Sequence, residues 1–543
     1  MRFLLSIWFI LGICFTAAVA VIEPALAQNA TEYDSSVSAS EASALIPAVD
    51  AAPDRVGRIS LRSGNTSLRV SADTGWADAE LNQPVFTGVA VRTDPQARAE
   101  IRVGANTITL SSGTEIEFTS LRDQTTQILV ARGRIDFHLS RAGEGGNVEI
   151  DTSRGAIRLL APGDYDIEEG SSGEPLRLAV SGGAASFAED GNETHVAAGE
   201  TMVLTGSDPI RVALEGAAPD AFVEWCRQRD YDESRLAAPY YISPYMTGFA
   251  ELESAGSWKV TSQYGAVWIP DRIPEDWAPY RYGHWSWITP WGWTWIDDQP
   301  WGFAPFHYGR WAFVDGHWAW TPGGFVDRPI YMPAVVAFLG TPGIGLSSAE
   351  GVAVGWFPLA PGEAYWPSYT RDLGYIRNLN IGIVQDLATI RMRTDGEPPL
   401  EVFNEDFANR QYASVVPRPV FINGRPVAPA LVAVPEHRLQ NAPVLMGSPQ
   451  IAPAAAQRVA RAAAPALQTG RRNAPADRAA IAAPPKTDPK LVRATVMQLR
   501  GRGQPAIIRA AHLHAPSYAG PARGRQTLVL RVAHAGLGKG ARH

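Results

Sequence analysis

The chain has 543 residues, 45% of them hydrophobic and 19% charged, and a net charge of −7. That length exceeds one ordinary domain, and two cysteines exclude a fold held by a disulfide framework. The charge is uneven: from Ile451 onward 16 Lys and Arg face 2 Asp and Glu, a net of +14, so the remainder carries −7 − 14 = −21. An acidic body with a basic tail points the tail toward an anionic partner or back onto its own body.

Residues 1–27 read as a signal peptide. Arg2 precedes an apolar run from Phe3 to Val21, and Ala25-Leu26-Ala27 supplies a small-x-small cleavage site before Gln28. The run is long for a signal core, so an uncleaved N-terminal anchor is the alternative. No other stretch is apolar for long enough to span a bilayer. Ile13 stands where a lipoprotein signal needs a small residue before Cys14, which argues against lipidation. Cleavage leaves Cys226 as the only cysteine, and its setting, Phe222-Val223-Glu224-Trp225-Cys226, predicts a buried helical position. The expected location is periplasmic or otherwise exported. Residues 28–53, rich in Ser, Ala and Glu, read as a flexible linker.

Over 54–215 apolar and polar residues alternate in short runs such as Ala99-Glu100-Ile101-Arg102-Val103 and Thr114-Glu115-Ile116-Glu117-Phe118. Gly64, Gly104, Gly113, Gly133 and Gly163 stand at the corners. This pattern predicts antiparallel strands with one apolar face and one charged, solvated face, closed into a β roll or sandwich. The stretch resembles the FecR-like domain of bacterial envelope proteins. The resemblance rests on Val56-Gly57-Arg58-Ile59-Ser60, on Gly75-Trp76 with Asn82-Gln83-Pro84-Val85 and Gly88, and on Arg92-Thr93 before Ala97-Arg98-Ala99-Glu100-Ile101. It continues through Val130-Ala131-Arg132-Gly133-Arg134-Ile135 and Asp151-Thr152 ahead of Ala161-Pro162-Gly163-Asp164-Tyr165. Signalling members of that family carry a cytoplasmic segment and a spanning helix ahead of the domain. Neither is expected ahead of the domain here, so their role is not expected to transfer.

Residues 216–238 form a helical connector, started by Pro219-Asp220, with Phe222, Val223 and Cys226 on one side. Residues 239–428 form a Trp-rich β domain. Twelve of the 17 Trp fall between Trp258 and Trp320, and a unit Gly-[His/Arg]-Trp-x-aromatic recurs at Gly283, Gly309 and Gly316. Rings at i and i+2 share one face of an extended strand. The text Pro274-Glu275-Asp276-Trp277-Ala278-Pro279-Tyr280-Arg281-Tyr282-Gly283-His284-Trp285, followed by Pro290-Trp291-Gly292-Trp293 and Val354-Gly355-Trp356-Phe357-Pro358, resembles an uncharacterised family of exported bacterial proteins found behind FecR-like domains. That resemblance implies an exported β-rich domain and no catalytic residues. Residues 429–543, dominated by Ala, Pro and Arg, read as a disordered basic tail; Tyr518 is the only aromatic after Phe421.

Most rings are expected to be core, with a minority lining a groove; the candidate ligand-binding set is Trp285, Trp287, Trp291, Trp293, Trp295, Trp301, Trp311 and Trp318. His284, His307 and His317 suggest a metal, but Arg310 occupies the equivalent repeat position and cannot ligate one, so no metal is expected there. Asp297-Asp298, with Glu275-Asp276 upstream, could serve a glycosidase, yet Asp297-Asp298-Gln299-Pro300 reads first as a turn. Arg272, Arg281, Arg310 and Arg328 are expected to stack on rings or pair with carboxylates such as Asp276, Asp297 and Asp315. Gly343-Ile344-Gly345-Leu346-Ser347 is too short for a phosphate loop.

Together these features predict a mainly β, non-catalytic, cofactor-free envelope protein of a Gram-negative cell. It would bind or scaffold through its β domains, with a cell-wall glycan, peptidoglycan or envelope protein as partner. The basic tail would contact an anionic envelope polymer, and no specific nucleic acid is expected. An envelope sensor of FecR type and a carbohydrate-active enzyme are the alternatives.

Overall fold

Short runs of alternating apolar and polar residues become strands because successive side chains point to opposite faces of a sheet. The computed structural model describes residues 52–53, 55–140, 147–170, 174–189, 191–206, 211–234 (231–234 without side chains), 242–340, 346–348, 351–384, 401–402, 407–445 and 447–454. The expected signal peptide, the linker up to 51, most of Gly343–Ser347 and the tail beyond 454 lie outside them.

Among the described residues, the first unit holds 17 strands in two sheets that share one long strand, Thr125–Leu139. Its first half, from Thr125 to Arg132, pairs with Glu115–Arg122, and its second half, from Gly133 to Leu139, pairs with Gly163–Glu169. Gly133 sits at the crossing with φ +88, where an added Cβ would lie 2.5 Å from Thr114 Cα. Only a glycine lets the strand pass from one sheet to the other here. Between the sheets pack Ile101, Ile108, Ile135, Phe137 and Ile167 from one side, with Val91, Ile116, Phe118, Ile128 and Val130 from the other. The expected all-β roll or sandwich is the observed architecture.

The expectation of a solvated polar face fails for one sheet. Arg58, Glu100, Arg102, Thr109, Asp136 and Asp166 are buried. The cover is the connecting helix Ala221–Ser234, which lays Phe222, Val223 and Cys226 inward, and Glu251 at the start of the second unit. Asp220 begins the helix by accepting from the backbone N–H groups of Phe222 and Val223 at 3.0 and 3.1 Å. The buried charges persist because each finds a partner or changes its protonation. Glu100 accepts from Arg102 at 2.9 Å and from Arg229 at 2.7 Å, which holds its carboxyl down at about 2 despite burial. Arg58 contacts Glu251, and Arg102 reaches the same carboxylate at 3.3 Å.

In the second unit the recurring motif makes the strands Gly283–Ile288, Arg310–Val314 and His317–Thr321. Their registers put ring opposite ring: Trp285 against Trp295, Trp287 against Trp293, Trp311 against Trp320 and Phe313 against Trp318. These strands belong to two small sheets, and a further sheet centres on Val336–Leu339 and Gly351–Pro358. Its next strand is Val444–Leu445, which pairs with both Val336–Leu339 and Glu401–Val402. The assignment of everything after 428 to a disordered tail is therefore corrected. The chain stays in the fold through 454, with the helix Glu436–Asn441, the strand Val444–Leu445, and Ile451, whose carbonyl accepts from the Trp293 indole at 2.8 Å.

The two β units are not independent beads on a connector. One hydrophobic core runs through both, from Ala52 to Ile451. Gly104 N donates to Thr247 Oγ1 at 2.9 Å, Thr247 Oγ1 donates to Val56 O at 2.6 Å, and Phe86 meets Trp291 edge-on at 4.9 Å.

Candidate functional site

All eight candidate tryptophans, Trp285, Trp287, Trp291, Trp293, Trp295, Trp301, Trp311 and Trp318, lie in the interior at 7% exposure or less. Trp285 is central: its ring meets Trp295, Trp356, Phe338 and Phe421 at centroid distances of 5.2 to 5.5 Å. Edge-to-face and tilted contacts dominate, as ring quadrupoles favour. Several buried indole N–H groups are matched to main-chain oxygens, Trp311 to Pro305 at 2.8 Å, Trp320 to Tyr308 at 2.9 Å and Trp356 to Tyr280 at 3.1 Å. Trp295 donates instead to Asp297 Oδ2 at 3.0 Å.

A large opening lies elsewhere, where the two β units meet. This cleft has a volume of about 890 Å³, within the range of small-molecule and peptide sites. The first unit supplies Val70, Phe86 and Leu121 to its walls, and the second Pro290, Ile330 and Ile381. None of the eight tryptophans lines it, although Phe86 is backed by Trp291. Polar residues make up half of the lining, among them Ser71, Thr74, Thr87, Asp123 and Thr289. Arg328 Nη1 donates to the Asp123 carbonyl at 2.6 Å, and its guanidinium lies 4.6 Å from the Tyr245 ring centroid, the expected ring stacking. Arg122 is exposed at the rim, and Asn378 and Tyr375 come from the helix Leu373–Asn380.

The remaining sequence candidates do not converge. Asp297 is buried at the end of the strand Gly292–Asp297 and accepts from Trp295 Nε1 and from Gln299 N, both at 3.0 Å. Burial pushes its carboxyl well above the usual range. Asp298 is exposed, so the two carboxyl groups do not form a facing pair. His284 contacts Glu80 of the first unit at 3.0 Å, His307 contacts Met332 O at 2.7 Å, and His317 is exposed. Arg310 is buried, donating to Glu363 O at 3.0 Å and Asn380 Oδ1 at 2.9 Å, and desolvation lowers it to about 10. Arg281 donates to the main-chain oxygen of Asp276 at 2.9 Å. Cys226 is buried in the connecting helix, as expected, and desolvation raises its thiol strongly. Sequence reasoning did not see the cleft, because its walls come from segments 166 to 329 positions apart (289 − 123 and 381 − 52) and no motif marks them.

The strand-rich segment 249–363 matches a family of unknown function, DUF6600, which accords with the Trp-rich stretch read as an uncharacterised domain. No curated protein matches the chain. Two crystal structures, at 2.50 and 1.65 Å, of a Parabacteroides distasonis protein provisionally described as an anti-sigma factor resemble a quarter of the chain at 12% identity and a TM-score of 0.23. The likeness covers 25% of this chain and 63% and 64% of the two solved chains, and at that score it leaves fold and function unassigned.

Proposed function

We propose that this is an exported, non-catalytic envelope protein that binds or scaffolds, and that the cleft between its β units receives an extended segment of a protein partner. The observation that carries this reading is the cleft itself: about 890 Å³, at a junction between units, with apolar side chains from both units interleaved with polar ones that suit a peptide's side chains and main chain. Apolar side chains of an extended peptide fit such walls better than a sugar does. Stacking on a sugar face calls for exposed rings, and the indoles that could supply them are held in the core. The shared core and the polar contacts between units fix the walls relative to each other, so the cleft needs little ordering before it binds.

The test is selection from a displayed library of extended peptides against the full chain, with purified cell-wall sacculi and a glycan panel in parallel. Ile381 is 45% exposed and lines the cleft, so Ile381→Glu changes the wall without loading the core. Saturable peptide binding, weakened at least about tenfold by Ile381→Glu, supports the reading; the lost apolar burial and added charge account for that size. Binding to sacculi that is unaffected by Ile381→Glu, or no peptide binding, overturns it.

A further inference from the structure

A second cluster lies under the connecting helix, away from the cleft and from every histidine singled out in the sequence. His138 and Asp164 face each other on paired strands, and Asp136 and Asp166 face each other one step along the same side of the sheet. Asp230 descends from the helix Ala221–Ser234 onto this face. His138 Nδ1 lies 2.6 Å from Asp164 Oδ1 and 4.0 Å from Asp230 Oδ2, and the three ligand atoms all lie within 4.8 Å of one another. All three side chains are partly buried, Asp230 most deeply.

The neighbouring cations are engaged elsewhere. Arg134 clamps Asp166 with two bonds of 2.7 Å and reaches Asp220 at 2.6 Å. Arg102 holds Glu100 and Glu251, and Arg229 holds Glu100. Arg134 still bears on Asp136 and Arg102 on Asp230, and His138 is the imidazole that Asp164 and Asp230 share. Asp136 is only 3% exposed and has no hydrogen-bond or ion-pair partner among the described residues. The charges of Asp166, Asp230 and Asp164 all bear on it. A buried carboxyl without a partner is costly unless a proton or a cation joins it.

We propose that His138, Asp164 and Asp230 form a binding site for a divalent transition-metal ion of the Zn²⁺ or Mn²⁺ type, with Asp136 supplying negative charge beside it. One imidazole nitrogen with carboxylate oxygens is a donor set that suits these ions. Donor atoms surrounding one such ion lie roughly 3 to 4 Å apart at metal–ligand distances of about 2.1 Å, so small side-chain adjustments suffice. The ion takes the place of the proton shared between His138 and Asp164. Because Asp230 belongs to the helix and the other two to the sheet, the ion staples the connecting helix to the first unit. This site is independent of the cleft.

The experiment is isothermal titration of the chelator-treated full chain with Zn²⁺ and Mn²⁺, with thermal unfolding followed in parallel. The expected result is one ion per chain and a raised Tm, with affinity at least about tenfold weaker in His138→Gln and in Asp230→Asn. Asp298→Asn, an exposed carboxylate far from the cluster in sequence, should bind as the wild type does. Histidines elsewhere in the chain can also hold zinc, so X-ray absorption of the zinc-loaded wild type provides a reading that does not depend on the variants folding. A shell of mixed imidazole nitrogen and carboxylate oxygen supports the site. A histidine-only or sulfur-containing shell, affinity unchanged in the two variants, or no stoichiometric binding overturns it.

Discussion

The side-chain amide of Asn82 donates to the main-chain carbonyl of Asp297 at 2.8 Å, joining a corner of the first unit to the end of a tryptophan strand 215 positions later. The same nitrogen donates to Gln299 O at 2.7 Å, while the amide oxygen accepts from Arg58. Asn82 has φ +63, a left-handed conformation that asparagine tolerates better than most residues. Asn82→Ala should therefore lower stability by about 2–4 kcal/mol, since it strands two carbonyls and a guanidinium N–H in a buried place. Asn82→Gly relieves the backbone but not the lost bonds. If it proves as stable as the wild type in urea unfolding, the amide is not what joins the units.

Trp285→Ala removes the ring at the middle of the aromatic cluster and should cost about 3–5 kcal/mol, with loss of near-UV circular dichroism. Phe313 lies on the same repeat motif but is 43% exposed. Phe313→Ala should cost no more than about 1 kcal/mol. Equal effects in thermal or denaturant unfolding would contradict the assignment of Trp285 to the core.

His307 gives a dependence on pH with a definite sign. Its ring is fully buried between Phe303 and Tyr331, each with its centroid 4.6 Å away, and desolvation lowers its pKa from the ordinary 6.5 to about 3. Between those values the unfolded chain binds a proton that the folded one refuses, so stability falls as pH falls through this window. The slope from this one group approaches about 1.4 kcal/mol per pH unit below 6.5. Urea unfolding at several pH values from 7.5 to 5 should show a shallower pH dependence in His307→Leu than in the wild type. Parallel curves would mean that His307 does not titrate as its surroundings require.

Cys226 should resist alkylation in the folded protein. Burial of its thiol disfavours the thiolate, and the charges of Asp136 and Asp230 act in the same direction. Mass-spectrometric mapping after iodoacetamide should find Cys226 unmodified in buffer and modified in 6 M guanidinium, a denaturing concentration of about this size exposing the core. Comparable labelling in both states would show that the helix does not stay seated on the sheet.

Ending the chain after 428 should be far more damaging than ending it after 454. The shorter chain loses Val444–Leu445 from the sheet and the Ile451 carbonyl that accepts from Trp293. Thermal unfolding should show the 454 end matching the full chain and the 428 end melting lower or failing to accumulate in soluble form.

The parts of this fold that could be read in the sequence are those whose signal is local. Alternation of apolar and polar residues marks the strands, and Gly283-His284-Trp285-Ser286-Trp287 announces that its two rings share a face, which the burial of Trp285 and Trp287 bears out. Alternation cannot say what lies over the polar side. Glu100 and Asp136 look like residues for water until Arg229, Asp230 and Glu251 arrive from far along the chain. The order after 428 was equally hidden, because a strand of only two residues and a single backbone carbonyl leave no periodicity to detect. For the same reason the cleft and the His138 cluster are visible only once distant segments are brought together.

The strand Thr125–Leu139 acts as a ruler common to both sheets. Inserting or deleting one residue on either side of Gly133 would leave one sheet in register and turn the other inside out, putting charges where isoleucines pack. Length changes in related chains should accordingly be excluded from this strand and accumulate at turns such as that between Arg122 and Thr125. Of all the dimensions of this molecule, the distance from Thr125 to Leu139 is the one that drift can alter least.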